Sequence, residues 1–173
     1  MRELILGGAR SGKSALAERL AQESNRSVTY IATATAGDAE MQQRIAQHQQ
    51  RRPADWQLVE EPIRLADILQ QEASESRCLL VDCLTLWLTN LLLADDQTLF
   101  DEQRALLLEA LPQLPGRILF VSNEVGLGIV PMGELSRRFQ DEAGRLNQAM
   151  ATGCDRVIFT VAGLPQVLKG EQL

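Results

Sequence analysis

Gly7-Gly8-Ala9-Arg10-Ser11-Gly12-Lys13-Ser14 follows the pattern G-x-x-x-x-G-K-S, between the apolar run Leu4-Ile5-Leu6 and the helix-like run Ala15 to Gln22. Residues without a Cβ let backbone N–H groups curl inward around an anion, and the start of the next helix adds partial positive charge. Lys13 offers a point charge to the β and γ phosphates, and Ser14 a hydroxyl to Mg²⁺. These residue types at this spacing predict a nucleoside triphosphate cradle formed by Gly7, Gly8, Ala9, Arg10, Ser11, Gly12, Lys13 and Ser14. The competing reading is an unrelated glycine turn, which rarely also brings the strand before it and the helix after it.

Three further places carry chemistry. Cys78-Leu79-Leu80-Val81-Asp82 is an apolar run ending in a carboxylate, which predicts an acid at the carboxyl edge of a parallel sheet, beside the phosphate loop and able to hold Mg²⁺ directly or through water. His48, the sole histidine, has Arg44 at i−4, Arg51 at i+3 and Arg52 at i+4 on a helix-like segment spanning Ala36 to Arg52. Nearby positive charge disfavours the imidazolium, so this ring is expected to be neutral and nucleophilic near neutral pH, with arginines available to a triphosphate and a departing pyrophosphate. The competing reading is a solvated glutamine- and arginine-rich face, with Met41 and Ile45 in the core. Ser122-Asn123-Glu124-Val125-Gly126-Leu127-Gly128-Ile129-Val130-Pro131 follows a strand-like run and is longer than ordinary βα connections of about 2 to 6 residues, so it reads as a shaped binding loop.

The elements that must position these groups are strand-like runs at Arg2 to Leu6, Val28 to Ala32, Trp56 to Val59, Cys78 to Asp82, Ile118 to Ser122 and Val157 to Val161, with helix-like segments between most of them. Such alternation predicts a largely parallel sheet covered on both faces. Leu135, Phe139, Ala143, Leu146 and Met150 recur at helical spacing, with Glu134, Arg138 and Glu142 as i,i+4 partners on another face. Pro112, Pro115 and Gly116 close a preceding helix, and Pro53 ends the one that carries His48. A length of 173 residues with no linker or repeat predicts a single domain spanning 1–173.

A net charge of −6 argues against nucleic acid as the main partner, since a duplex needs a basic face. Cys78, Cys83 and Cys154 lack metal-ligand spacing and are expected as reduced core residues. No apolar stretch approaches the ~18 residues of a membrane span, and no basic n-region precedes the first strand, which predicts a cytoplasmic location.

Taken together, Gly7 to Ser14, Tyr30-Ile31-Ala32-Thr33-Ala34, Arg44-Ile45 with His48, Arg52-Pro53 with Trp56, Asn123-Glu124-Val125-Gly126 through Pro131, and Gly144-Arg145-Leu146-Asn147-Gln148 resemble the bifunctional adenosylcobinamide kinase and adenosylcobinamide-phosphate guanylyltransferase family of cobalamin biosynthesis. The likeness covers nearly the whole chain and implies an α/β fold of the P-loop NTPase (RecA-like) type. It implies two reactions, phosphorylation of adenosylcobinamide with ATP or GTP and transfer of GMP from GTP to that phosphate with loss of pyrophosphate. The family's covalent guanylyl-histidine falls on His48. Lys13, Ser14 and Asp82 become phosphate and Mg²⁺ ligands, with Thr33, Ala34, Thr35, Arg51, Arg52 and Glu60 as further nucleotide contacts. The resemblance also implies a homo-oligomer, a trimer. Leu93 to Leu114 matches no family motif and is expected to pack as helices. Rival readings are a single-function P-loop kinase of another small metabolite, and a non-enzymatic module in which hydrolysis moves a partner.

Overall fold

The computed structural model describes residues 1–35 and 53–173. Seven strands form one sheet: β1 (Arg2–Gly7), β2 (Ser27–Ala32), β3 (Gln57–Glu60), β4 (Arg77–Asp82), β5 (Arg117–Asn123), β6 (Arg156–Val161) and β7 (Leu164–Lys169), in spatial order β3-β2-β4-β5-β1-β6-β7. The first six run parallel, so their carboxyl ends share one edge. The helix that would carry His48 lies outside the described residues.

Alternation along the strands divides the core. Leu4, Leu6, Ile31, Leu79, Val81, Ile118, Phe120 and Val157 face helices α2 (Leu65–Glu72), α3 (Leu84–Leu93), α4 (Gln97–Ala110) and α5 (Glu134–Gly153). Ile5, Val28, Tyr30, Cys78, Leu80, Leu119, Val121 and Ile158 face α1 (Lys13–Gln22) on the other side. Strands apolar on both faces are what a covered parallel sheet requires. Asp96 caps α4 by accepting from the Leu99 amide at 3.1 Å, so the stretch without motifs is indeed helical.

Two expectations are corrected. The strand pattern extends past Val161: Ala162 and Gly163, with φ of 52° and 80°, form a two-residue turn into β7, which pairs antiparallel with β6. Alternation of strands and helices implies parallel neighbours and hides this hairpin. In α5, Ala143, Leu146 and Met150 are buried but Leu135 is exposed, and the charges pair with the neighbouring helix and at i+3 within their own rather than at i,i+4. Glu142 accepts from Arg104 at 3.0 Å and from Arg145 at 2.5 Å, while Arg138 donates to Gln97 and lies over Phe100. Packing α5 against α4 supplies better partners than the exposed i,i+4 positions. The three cysteines are buried and unpaired, as expected.

Candidate active site

The phosphate loop leaves β1 and turns into α1 under close steric limits. A Cβ on Gly7 would come within 2.4 Å of the Thr160 carbonyl oxygen and 2.6 Å of Ser11 Oγ. Gly12 caps α1 with φ 100°, and a Cβ there would stand 3.0 Å from Gly163 Cα. The β6–β7 turn thus backs the loop directly, and the Gly163 amide donates to the Ser11 carbonyl at 2.8 Å. Arg10 sits at φ 56°, which bends the loop tip. The first amides of α1 receive no side-chain cap, leaving them free to bind an anion.

Lys13 is buried, and its Nζ donates to the Gly8 carbonyl at 2.6 Å, a bond that a phosphate oxygen can replace. Burial pulls its pKa below the usual lysine value, opposed by the negative charge of Asp82. Ser11 Oγ and Thr160 Oγ1 are buried beside the loop without a hydrogen-bond partner among the described residues. Buried hydroxyls left open at one place mark ligand space rather than finished core.

Asp82 ends β4, which is separated from β1 by β5. The carboxylate therefore lies along the edge from the loop rather than against it, near enough to act on Lys13, and its Oδ2 accepts from Tyr30 OH at 2.8 Å. Ser14 at the helix start and Asp82 at the strand end offer a hydroxyl and a carboxylate, hard oxygen donors of the kind Mg²⁺ takes alongside substrate phosphates. Burial and the adjacent Asp82 charge push the Cys83 thiol up to about 11, so it stays protonated and unreactive.

Thr33 is wholly buried, and its hydroxyl donates to the Cys83 carbonyl at 2.7 Å and accepts from the Cys83 amide at 2.9 Å. Its side chain is thereby committed to joining the ends of β2 and β4, a structural role the sequence reading had not given it. Asn90 of α3 extends this tie, donating to the carbonyls of Thr33 at 2.7 Å and Pro62 at 3.1 Å and accepting from Thr35 Oγ1 at 3.3 Å. Ala34 and Thr35 are more open. Glu60 is exposed at the end of β3, with β2, β4 and β5 between it and β1, so the structure does not bring it to the phosphate loop. His48, Arg51 and Arg52 lie outside the described residues.

The end of β5 is held by residues that sequence reasoning did not rank. Asn147 of α5 accepts from Ser122 Oγ at 2.8 Å and donates to the Asn123 carbonyl at 3.3 Å, and Thr85 Oγ1 accepts from the Asn123 amide at 2.7 Å. The Glu124 amide then donates to the Gly7 carbonyl at 3.0 Å. Asn147 is a polar residue on the buried face of a helix, and that mismatch is the signal by which it could have been found.

The family model described as cobinamide kinase / cobinamide phosphate guanyltransferase matches residues 3–168. The chain is 68% identical over 173 residues to the bifunctional adenosylcobalamin biosynthesis protein CobP of Pseudomonas aeruginosa, with full coverage of both. It is 37% identical over 180 residues to CobU of Escherichia coli, covering 96% of this chain and 98% of that protein. Among solved structures, the RadB recombinase superposes with a TM-score of 0.53 at 14% identity, over 91% of this chain and 73% of that one. A Pyrococcus horikoshii protein gives 0.55 at 9% identity, over 99% and 87%. The structural likenesses establish a RecA-like P-loop fold, and the sequence matches establish that the chain belongs to the cobinamide kinase / cobinamide phosphate guanyltransferase family.

Proposed function

We propose that this chain carries out both reactions for which its family is named: phosphorylation of adenosylcobinamide with ATP or GTP, then transfer of GMP from GTP to the new phosphate. The observation that carries the reading is the meeting of a P-loop, a buried Lys13 and the Asp82 carboxylate on one sheet edge in a chain that matches the family over residues 3–168. Lys13 and the loop amides hold the β and γ phosphates and offset charge on the oxygens as the γ-phosphoryl group moves. Ser14 and Asp82 would hold Mg²⁺, which neutralises phosphate charge when bound. Ala34 and Thr35 contact nucleotide, while Thr33 acts by fixing the β2–β4 junction. Glu60 serves a nucleotide site at the β3 end of the same edge, apart from the phosphate loop.

In the second reaction a neutral His48 ring nitrogen attacks the α-phosphorus of GTP, and the bond to the bridging oxygen of pyrophosphate breaks. The acceptor phosphate then displaces the imidazole to give adenosylcobinamide-GDP. Arg44, Arg51 and Arg52, spaced around His48 in the sequence, keep the ring neutral and bind the departing pyrophosphate. The same reading makes the protein cytoplasmic and homotrimeric. Among the described residues no helix is long and apolar enough to cross a membrane, and exposed Leu127, Ile129, Val130 and Met132 suit a subunit contact, which molar mass in solution decides.

The test is incubation with α-labelled GTP and Mg²⁺, denaturation, and assay for acid-labile label, with His48→Ala alongside. Label on the wild type and none on the variant is expected. No label on either, in protein that binds GTP, would leave a single-function kinase.

A further inference from the structure

The kinase half of this reading needs a group to take the proton from the acceptor hydroxyl, and neither Lys13 nor Asp82 is placed for it. Lys13 is a donor committed to phosphate. Asp82 lies two strands from β1 and accepts from Tyr30. Glu124 is different in three respects. It stands at the end of β5, the strand next to β1, and its amide is bonded to the Gly7 carbonyl, the residue before the Gly8 carbonyl that holds Lys13. Its carboxylate is aimed by a tight local fit: Oε1 accepts from the Gly126 amide at 2.6 Å, and a Cβ on residue 126 would come within 2.9 Å of that oxygen. Oε2 has no bonded partner among the described residues.

Glu124 lines a groove of about 480 Å³ between α5 and the β6–β7 hairpin, which also meets Gly144, Gln148, Leu127 and Leu168. That lining mixes amides and the Lys169 amine with apolar side chains and unites two segments on which the family likeness rests, Asn123 to Gly126 and Gly144 to Gln148. Asn147, Thr85 and the Gly7 bond fix the strand end, so Glu124 is held on a rigid support, as a group that must meet a reacting atom requires.

We propose that Glu124 is a catalytic residue of the phosphorylation step, the base that takes the hydroxyl proton of an acceptor entering along this groove. The hydroxyl oxygen forms a bond to the γ-phosphorus, the bond from that phosphorus to the β,γ-bridging oxygen breaks, and nucleoside diphosphate leaves. The proton passes to Glu124 and then to water, so charge and atoms balance. The proposal rests on the kinase reading above.

Glu124→Gln tests it, because the amide oxygen still accepts from Gly126 and the loop keeps its form. A positioned base contributes about 10²–10⁴-fold, so phosphorylation of adenosylcobinamide is expected to fall at least 100-fold in kcat. Triphosphate Kd is expected within about threefold of wild type, and labelling of His48 by α-labelled GTP unchanged. Glu124→Ala should recover part of its kinase rate with added formate, while Glu124→Gln should not. Phosphorylation by Glu124→Gln within threefold of wild type would overturn the assignment, as would an equal loss of nucleotide binding. Failure of the kinase reading itself would appear differently, as absence of phosphorylation in the wild type.

Discussion

The two edges of one sheet treat their polar groups in opposite ways. At the carboxyl edge, Lys13 is desolvated, Ser11 and Thr160 hold buried hydroxyls with no partner among the described residues, and Glu124 keeps one oxygen open. At the amino edge, Glu3 is fully buried in β1 yet accepts from Arg117 Nε at 2.7 Å and from Arg156 Nε and Nη2 at 2.7 and 2.5 Å. Arg117 donates further to the Leu20 carbonyl, Arg156 to that of Gln172, and the Met1 ammonium to that of Gly116. The amino edge closes its charges on one another and belongs to folding. The carboxyl edge leaves groups unsatisfied that a ligand can complete, which is where a parallel sheet places its chemistry.

Breaking the amino edge should have the largest effect, and on stability. Removing one member of a buried ionic cluster leaves the others desolvated without compensation, at a cost of about 3–5 kcal/mol. Glu3→Ala is therefore expected to lower the unfolding free energy by about that much in denaturant titration, with triphosphate affinity of the folded fraction unchanged. An affinity loss matching the stability loss would erase the distinction between the edges.

The carboxyl edge should answer in reverse. Burial lowers the Lys13 pKa, so between its folded and unfolded values the unfolded chain holds more protons, and the charged form costs the fold stability. Lys13→Met removes that cost and keeps an apolar stem. Unfolding free energy should be unchanged or higher, while triphosphate affinity falls by the about 1.5–3 kcal/mol of a charged hydrogen bond, roughly ten- to hundredfold, in titration calorimetry. Because phosphate favours the protonated lysine, binding in the wild type should weaken as pH rises through a value below the ordinary lysine range.

How much of this was legible in the chain follows the same division. The loop from Gly7 to Ser14 is local, and its steric needs are written in adjacent residues, so sequence and structure agree. The six parallel strands were legible within a residue or so, five of them because their apolar runs are continuous, while the short β3 begins at Gln57 rather than Trp56. Glu3 was not, since a carboxylate inside an apolar run looks like a strand's solvent side until Arg117 and Arg156 arrive from 114 and 153 residues away. Thr33, Asn90 and Asn147 were hidden for that reason too, their roles being hydrogen bonds between distant elements. His48 rests on resemblance and spacing.

The finest test of the comparison lies at the rim of the amino edge, where Arg2 and Asp155 join β1 to the start of β6. Arg2 Nη2 donates to Asp155 Oδ1 at 2.8 Å and Nε to Oδ2 at 3.0 Å, while the Arg2 amide adds a third bond at 2.7 Å. The hydrogen bonds from Arg2 hold the Asp155 carboxyl below the ordinary aspartate value. A carboxyl whose folded pKa is depressed stabilises the fold above its unfolded pKa, and that contribution disappears as pH falls through the folded value. The Asp155 side chain is 42% exposed, so solvent screening keeps the pair below about 1 kcal/mol. Asp155→Asn should cost less than about 1 kcal/mol at neutral pH in low salt, and the gap to wild type should close below pH 3.8, the ordinary aspartate value, and in high salt. If the gap persisted in acid, the three bonds would be acting through geometry rather than charge, and the rim would belong with the buried triad.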